Sequence, residues 1–508
     1  MVRALRGATA LAFAAIAVAG CTSSAAQPQA EGAGPNRPGI GGDQPAPEAP
    51  PPPPRPSNQP LTTDLGRESG ATVAAGGPGA PYNYGPALMR DGALNRMWWC
   101  SQYPGAAPPG DDILYGEAAG LDGPFRAPGG APPRAVLSGA PGGFDGVHTC
   151  DPSVLRVGGT YYLYYTGAAG DHALGNSIGL ATSTDGLTWT RANGGRPILN
   201  PAHDVHRDNT YGAGQPAAVF LDGWFYLMFT DTTGKAAGWN GAGQFIVRSR
   251  DPAFAGGIET VGPDGFLQVQ NTQAPRTRSL VDAFSADLMW VDALAAFAIA
   301  HETQHGTTLT FWDREFRTNP YLPALIPGPW QEGPGLLRQP DGHAPVSATD
   351  PCGRVPLDVV RATVIGEAGA PTNLRHFGID LKGIDGCGDV PRMLAVLDGF
   401  AMPSPLRTMD LVTGGTVVRV DRRSVAGELA ARVLDTRLPQ LDRAPVAAHL
   451  RSGAEAFRST AFGLGVVLDD GRLWPVRSAK ALQLNGSVPQ AITDERWRTY
   501  PAGSALGR

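Results

Sequence analysis

The sequence predicts an all-β fold, on three observations. A unit of about sixty-five residues recurs along the chain. Each unit opens on an apolar strand, turns tightly and returns on an aromatic one. The 68 glycines and 48 prolines punctuate short apolar runs rather than long periodic ones. The unit is plainest in HTCDPSVLRVGGTYYLYYTG, residues 148–167, where Gly158-Gly159 makes the turn. It returns in GPALMRDGALNRMWWCS from Gly85, GQPAAVFLDGWFYLMFTD from Gly214 and SADLMWVDALAAFAIAHE from Ser285. A fainter copy is DPCGRVPLDVVRATVIG from Asp350, so the starts fall at residues 85, 151, 215, 285 and 350. Most units add a third strand, such as NSIGLATSTDG or GQFIVRSRD, and a short fourth. Four antiparallel strands per unit, repeated in series, are the signature of a β-propeller, here five-bladed over residues 80–404. The rival all-β arrangement, two packed β-sandwiches, requires no repeat of this length.

The N-terminus, MVRALRGATALAFAAIAVAGC, has Arg3 and Arg6, then an apolar run from Ala8 to Ala19 that is short for a membrane span. Residues 1–20 read as an export signal, and Val18-Ala19-Gly20-Cys21 resembles the lipobox of bacterial lipoproteins. That resemblance implies cleavage before Cys21, lipidation of its sulfur, and a location at the cell membrane or surface. Residues 21–75 are rich in Ser, Gln, Gly and Pro, with an unbroken proline run from Pro50 to Pro54. They read as a tether unable to bury a core. Nothing later reads as a transmembrane helix.

The net charge is −5 with no basic run, which argues against nucleic acid as a partner. Beyond Cys21 stand Cys100, Cys150, Cys352 and Cys387, an even set in an exported chain. In a propeller, the first strand of each blade starts near the axis and the second returns to the same face. That brings the end of strand two in blade one beside the start of blade two, so Cys100 is expected to pair with Cys150. Cys352 and Cys387, both in blade five, pair by default. The same geometry sets Asp151 at the axial face, with Asp231 and Glu302 at returning strand ends.

Residues 82–400 resemble the five-bladed propeller glycoside hydrolases, the superfamily of family 43 arabinanases, xylosidases and arabinofuranosidases and their fructan-acting relatives. The residues that carry the resemblance are His148-Thr-Cys-Asp151-Pro152-Ser153-Val154, Gly159-Thr-Tyr-Tyr-Leu-Tyr-Tyr-Thr166, Ile178-Gly-Leu-Ala-Thr-Ser183 and Asp185-Gly-Leu-Thr-Trp189. The resemblance implies that Asp151 is the general base or nucleophile of a two-carboxylate cleavage. For the general acid, Glu302 is the first candidate, because the apolar stretch Ala295–Ala300 before it would raise its pKa. Glu332 is the second. Its Glu-Gly-Pro resembles the family motif that carries the acid, but it falls where an outer strand is expected. Asp287 is the candidate third acid, two residues after Ser285 and on the same side of the strand. Tyr84, His148, Gln215, Trp290, Asp231 and His301 are the expected sugar contacts. The loop PAHDVHRD holds His203, Asp204 and His206, but its spacing is not that of a metal site, so no metal or cofactor is expected; some relatives hold a structural cation in the pore.

Residues 405–508 change character and read as a small α+β accessory module, with strand–turn–strand signals such as Val467–Pro475. The whole reads as a monomeric, surface-anchored glycosidase for arabinose-, xylose- or related polysaccharide or oligosaccharide. The alternative is an inactive propeller that binds a glycan or a protein. A second carboxyl facing Asp151 separates the two.

Overall fold

The computed structural model describes residues 58–75, 82–103, 110–170, 175–363 and 372–507. The signal, Cys21 and most of the expected tether lie outside the described residues. Strand β1 is Thr62–Glu68, followed by β2 (Asn83–Asp91), β3 (Leu94–Gln102), β4 (Asp111–Ala118) and β5 (Arg134–Leu137). A second group is β6 (His148–Val157), β7 (Thr160–Ala168), β8 (Ser177–Ser183) and β9 (Thr190–Arg191). A third is β10 (Ala213–Leu221), β11 (Trp224–Asp231), β12 (Gln244–Ser249), β13 (Ile258–Gly262) and β14 (Gly265–Val269). Then come β15 (Ala286–Val291), β16 (Ala296–Thr303), β17 (Gly306–Trp312) and β18 (Ala324–Pro327), and last β19 (Glu332–Arg338), β20 (Arg354–Ala362) and β21 (Leu374–Lys382).

β1 apart, each group is an antiparallel meander with its strands side by side in chain order. Tight turns close the hairpins; at the β6–β7 turn Gly158 and Gly159 both have positive φ, 59° and 87°, which other residues adopt only with strain. The first strands of the meanders form a closed circuit: β2 packs beside β6, β6 beside β10, β10 beside β15, β15 beside β19, and β19 beside β2. β19 and β2 also share a short parallel ladder, Leu337 with Leu88 and Arg338 with Met89.

The core is divided between neighbouring meanders, a consequence of strand alternation. Trp98 and Trp99 are adjacent on β3 and both fully buried, yet they enter different clusters. Trp98 joins Met89, Val154 and Leu163; Trp99 joins Leu88, Leu337 and Val360. Fully burying one such aromatic side chain stabilises by roughly 1.5–3 kcal/mol.

Several expected boundaries need correction. The expected tether reaches residue 75, but the chain from Thr62 is already strand β1, paired with β21 from Thr62↔Lys382 to Glu68↔Phe377. Ion pairs fasten it there: Arg67 to Asp358 at 2.8 Å and Asp380 at 2.6 Å, and Arg354 to Asp64 at 2.5 Å. The last meander was expected to open at residue 350; its first strand is β19, opening at Glu332, and the segment from Asp350 leads into its second strand.

The C-terminal part has two sheets. One contains Phe400–Pro403, Met409–Thr413, Thr416–Val420 and Val446–Leu450; the other contains Ala456–Ser459, Gly463–Val467 and Leu473–Val476. With helices Arg423–Leu429 and Ala479–Asn485 they enclose Leu411, Val418, Val466, Trp474 and Leu482. Since Phe400–Pro403 pairs with Met409–Thr413, this part begins before the expected boundary at residue 405. Helix Val390–Val396, capped by the Asp389 side chain, buries Met393 and Val396 against Phe377 and Leu381 of the last meander. The structure pairs Cys100 with Cys150 and Cys352 with Cys387. Among the described residues no helix is long and apolar enough to cross a membrane.

Candidate active site

A local irregularity shared by four of the five first strands builds the centre of the circuit. The ladder register breaks between Tyr84 and Ala87, Cys150 and Ser153, Gly214 and Ala217, and Glu332 and Gly335. Each break contains an X-Pro pair: Gly85-Pro86, Asp151-Pro152, Gln215-Pro216 and Gly333-Pro334. Proline has no N–H for the ladder, so the strand bulges there. Residue X takes positive φ in each case, 54° at Gly85, 46° at Asp151, 53° at Gln215 and 57° at Gly333. These bulges line one narrow shared pocket, completed by Tyr84, Ser285, Asp287 and Glu332. Two of the four X residues are glycines, which leaves the space to Asp151 and Gln215.

Asp151 is buried, and burial pushes its carboxyl above the ordinary carboxylate range. His148 is the largest influence pulling it back, followed by the Thr166 hydroxyl, which bonds to it; the Tyr211 hydroxyl donates from 3.4 Å. Thr166 Oγ1 accepts the Gln215 backbone N–H at 2.7 Å, which leaves the hydroxyl proton for Asp151. His148 Nδ1 is bonded in turn to Asp111, which opens β4, and both are buried. A ring nitrogen of His148 lies within 4.8 Å of an Asp151 carboxylate oxygen.

Glu332 shares this cavity. Burial, then the charge of Asp151, lift its carboxyl from 4.5 to about 7, while His148 pulls the other way. Tyr84 and Tyr211 feel both carboxylates, which push their hydroxyls further up after burial. The Tyr84 hydroxyl is 3.0 Å from the Cys150 sulfur. Gln215 donates from Nε2 to Ser285 Oγ at 2.8 Å, and its Oε1 is buried with no partner among the described residues. This chain therefore holds two buried carboxyls in one pocket, both raised by burial, with hydroxyl donors on Asp151.

The other expected residues are used differently. Glu302 is also lifted to about 7 by burial, against the pull of Arg361, but it does not line the cavity. It accepts from Thr307 Oγ1 at 3.1 and 3.0 Å in a cluster completed by Arg361. Asp287 lines the cavity, yet its oxygens accept the Leu288 and Leu336 N–H groups at 2.8 and 2.7 Å and Arg338 lies 3.2 Å away, so it ties β15 to β19. Asp231 is buried against Arg276 at 3.1 Å and accepts from Ala202 and Thr233. Trp290 stands at the far end of β15, roughly 13 Å along the strand from Ala286, where its Nε1 donates to Asp292 at 3.0 Å. His301 pairs across the ladder with Ala286 without lining the cavity; its buried Nε2 has no partner among the described residues and burial lowers its pKa.

Tyr211, Thr166 and Asp111 were missed in the sequence. Asp111 sits in a strand with no distinguishing pattern, Thr166 in one that stands out for its aromatics rather than its hydroxyl, and Tyr211 lies in the irregular segment before β10. Tyr211 packs on Gly214, where a β-carbon would lie 2.5 Å from its hydroxyl oxygen. Two groups near the cavity have the residue types of metal ligands, Cys100–Asp111–Cys150 and His148–Cys150–Asp151. Both draw on the disulfide sulfurs, which have no thiolate to offer. Asp204, in the histidine-bearing loop, accepts the Lys235 and Arg276 N–H groups at 3.0 and 2.8 Å and so anchors the loop.

No family model and no curated protein matches the sequence. Solved structures do. A family 117 glycoside hydrolase of the marine bacterium Zobellia galactanivorans has 12 % identity, covering 63 % of this chain and 92 % of that one, with a TM-score of 0.43. The α-L-arabinofuranosidase of Podospora anserina, in complex with cellotriose, has 13 % identity, covering 64 % of this chain and 100 % of that one, at 0.38. The family 32 β-fructofuranosidase of Bombyx mori has 11 % identity, covering 72 % and 67 %, at 0.38. The chain is thus similar to glycoside hydrolases, more broadly than the family 43 resemblance, at identities and TM-scores that leave its function to be judged on its own residues.

Proposed function

We propose that this protein is a glycoside hydrolase whose meanders are the blades of a five-bladed propeller and whose catalytic carboxyls are Asp151 and Glu332. The observation that carries the reading is the placing of two buried carboxyls in one pocket, Asp151 with hydroxyl donors from Thr166 and Tyr211 and Glu332 lifted to about 7 by burial and by the Asp151 charge. Cleavage of a glycoside requires one carboxyl that gives a proton and one that does not hold it. Glu332 protonates the leaving oxygen as its bond to the anomeric carbon breaks. Asp151 attacks that carbon or takes a proton from the water that does. Thr166 and Tyr211 donate to Asp151 and hold it ready. Gln215 Oε1 offers a buried acceptor to a sugar hydroxyl. Asp287 keeps its part in the structure and Glu302 takes none in the chemistry.

An arabinose-, xylose- or related polysaccharide or oligosaccharide is the proposed substrate, on the sequence resemblance. The lipid at Cys21 would hold the enzyme at the bacterial surface, with the C-terminal part as an accessory. The test uses residues 58–508, purified oxidised, on aryl furanosides and pyranosides and on plant and bacterial polysaccharides, with Asp151→Asn and Glu332→Gln alongside. Sugar release by the parent that both variants lose supports the reading. No release from any substrate, with glycan binding kept in all three proteins, replaces it with a binding propeller.

A further inference from the structure

Trp239 is 83 % exposed, the most of any large apolar side chain among the described residues, and no other ring or cation there packs on it. Its backbone is fixed. It opens a tight turn, Trp239–Gly241, in which Gly238 N–H donates to Ala242 O at 2.6 Å and Ala242 N–H to Trp239 O at 3.0 Å. A β-carbon at Gly241 would lie 2.7 Å from the Thr232 β-carbon, so the turn is seated on the end of β11.

That end is the cavity end. β11 finishes at Asp231, opposite Ala213, two residues before Gln215. The loop from β11 to β12 therefore rises from the rim of the cavity, and it is tied to the site. Asn209 Nδ2 donates to Asn240 O at 2.9 Å, Asn209 Oδ1 accepts the Tyr211 N–H at 3.1 Å, and the Tyr211 hydroxyl reaches Asp151. An apolar face exposed to water on a fixed backbone turn matches a sugar ring, which offers C–H groups on its face.

We propose that Trp239 is a carbohydrate-stacking platform that holds a sugar of the substrate beyond the bond being cut, so that chains are preferred to single glycosides. The preference rests on the hydrolase reading; the stacking does not. The test pairs affinity electrophoresis of the chain through gels containing arabinan, arabinoxylan or levan with kcat/KM on each polysaccharide and on aryl monoglycosides. The parent is expected to be retarded by one of the three. Trp239→Ala should lose most of that retardation and about tenfold in the ratio of polysaccharide to monoglycoside kcat/KM, and Trp239→Phe should keep most of both. Equal retardation of parent and Trp239→Ala overturns the proposal, as does a parent retarded by none of the three. A parent that is retarded but hydrolyses nothing, with retardation lost in Trp239→Ala, overturns the hydrolase reading and supports the platform.

Discussion

Gly85 lies against Asp151: a β-carbon at Gly85 would stand 3.0 Å from Asp151 Oδ1, and one at Gly333 would stand 2.9 Å from the Gly85 α-carbon. The two glycines keep open the ground between the two proposed catalytic carboxyls. Gly85→Ala is expected to lower kcat at least ~tenfold through displaced Asp151. The left-handed φ of 54° adds a cost of about 1–2 kcal/mol, visible as a small fall in Tm. A variant with parental kcat would place Asp151 outside the chemistry.

Glu332 and Glu302 have equally raised carboxyls in different surroundings, so paired substitutions tell them apart. Glu332→Gln should lower kcat by ~10²–10⁴ on substrates with poor leaving groups. Glu302→Gln, away from the cavity, should stay within about threefold of the parent, well short of a general-acid loss. The reverse ranking, measured on one polysaccharide, would move the acid to Glu302.

Activity should fall as pH rises through about 7, because Glu332 then loses the proton it must donate. The lower limb follows ionisation of Asp151, whose carboxyl sits above the ordinary range. The charge of His148 pulls both carboxyls down, so His148→Gln should move both limbs of the kcat/KM profile to higher pH. Limbs that stay in place would remove His148 from the electrostatics of the site.

Stability follows the same protons with a definite sign. Glu302 and Glu332 bind a proton more tightly folded than their reference value of 4.5. Their contribution is complete below about 4.5 and is lost as pH rises through about 7. Thermal melts should therefore show Tm falling between pH 5 and pH 8, and falling less in Glu302→Gln.

The bond from Cys100 to Cys150 spans fifty residues and ends one residue before Asp151. A loop of that size constrains the unfolded chain by about 4 kcal/mol. Cys100→Ser with Cys150→Ser should lower both Tm and kcat. Loss of Tm with kcat intact would show that the bond does not position Asp151.

The repeat was legible because strand alternation and glycine turns are written locally, as in residues 148–167. The last unit was misplaced because a spacing of about sixty-five residues pointed to residue 350. The better guide was the X-Pro bulge, present at Gly333-Pro334 and thereby placing Glu332 at the centre. Glu302 was favoured for its apolar approach, which does raise its pKa, but nothing in the chain before it announces Arg361 and Thr307. Tyr211 and Asp111 reach the site through tertiary packing alone, which leaves no local pattern. Trp290 was misread by strand length: the residue type suited a sugar, but the strand had already carried it to the opposite end.

Strand β1 pairs with a segment more than three hundred residues further along, Thr62 meeting Lys382. Of the described strands a ribosome makes β1 first, and β1 finds its partner only after β21 exists. An early strand is thus late to dock, and until then β21 presents an unpaired edge. Their pairing adds the outer strand to the last meander, and a nascent chain cut short before residue 374 leaves β1 without its partner.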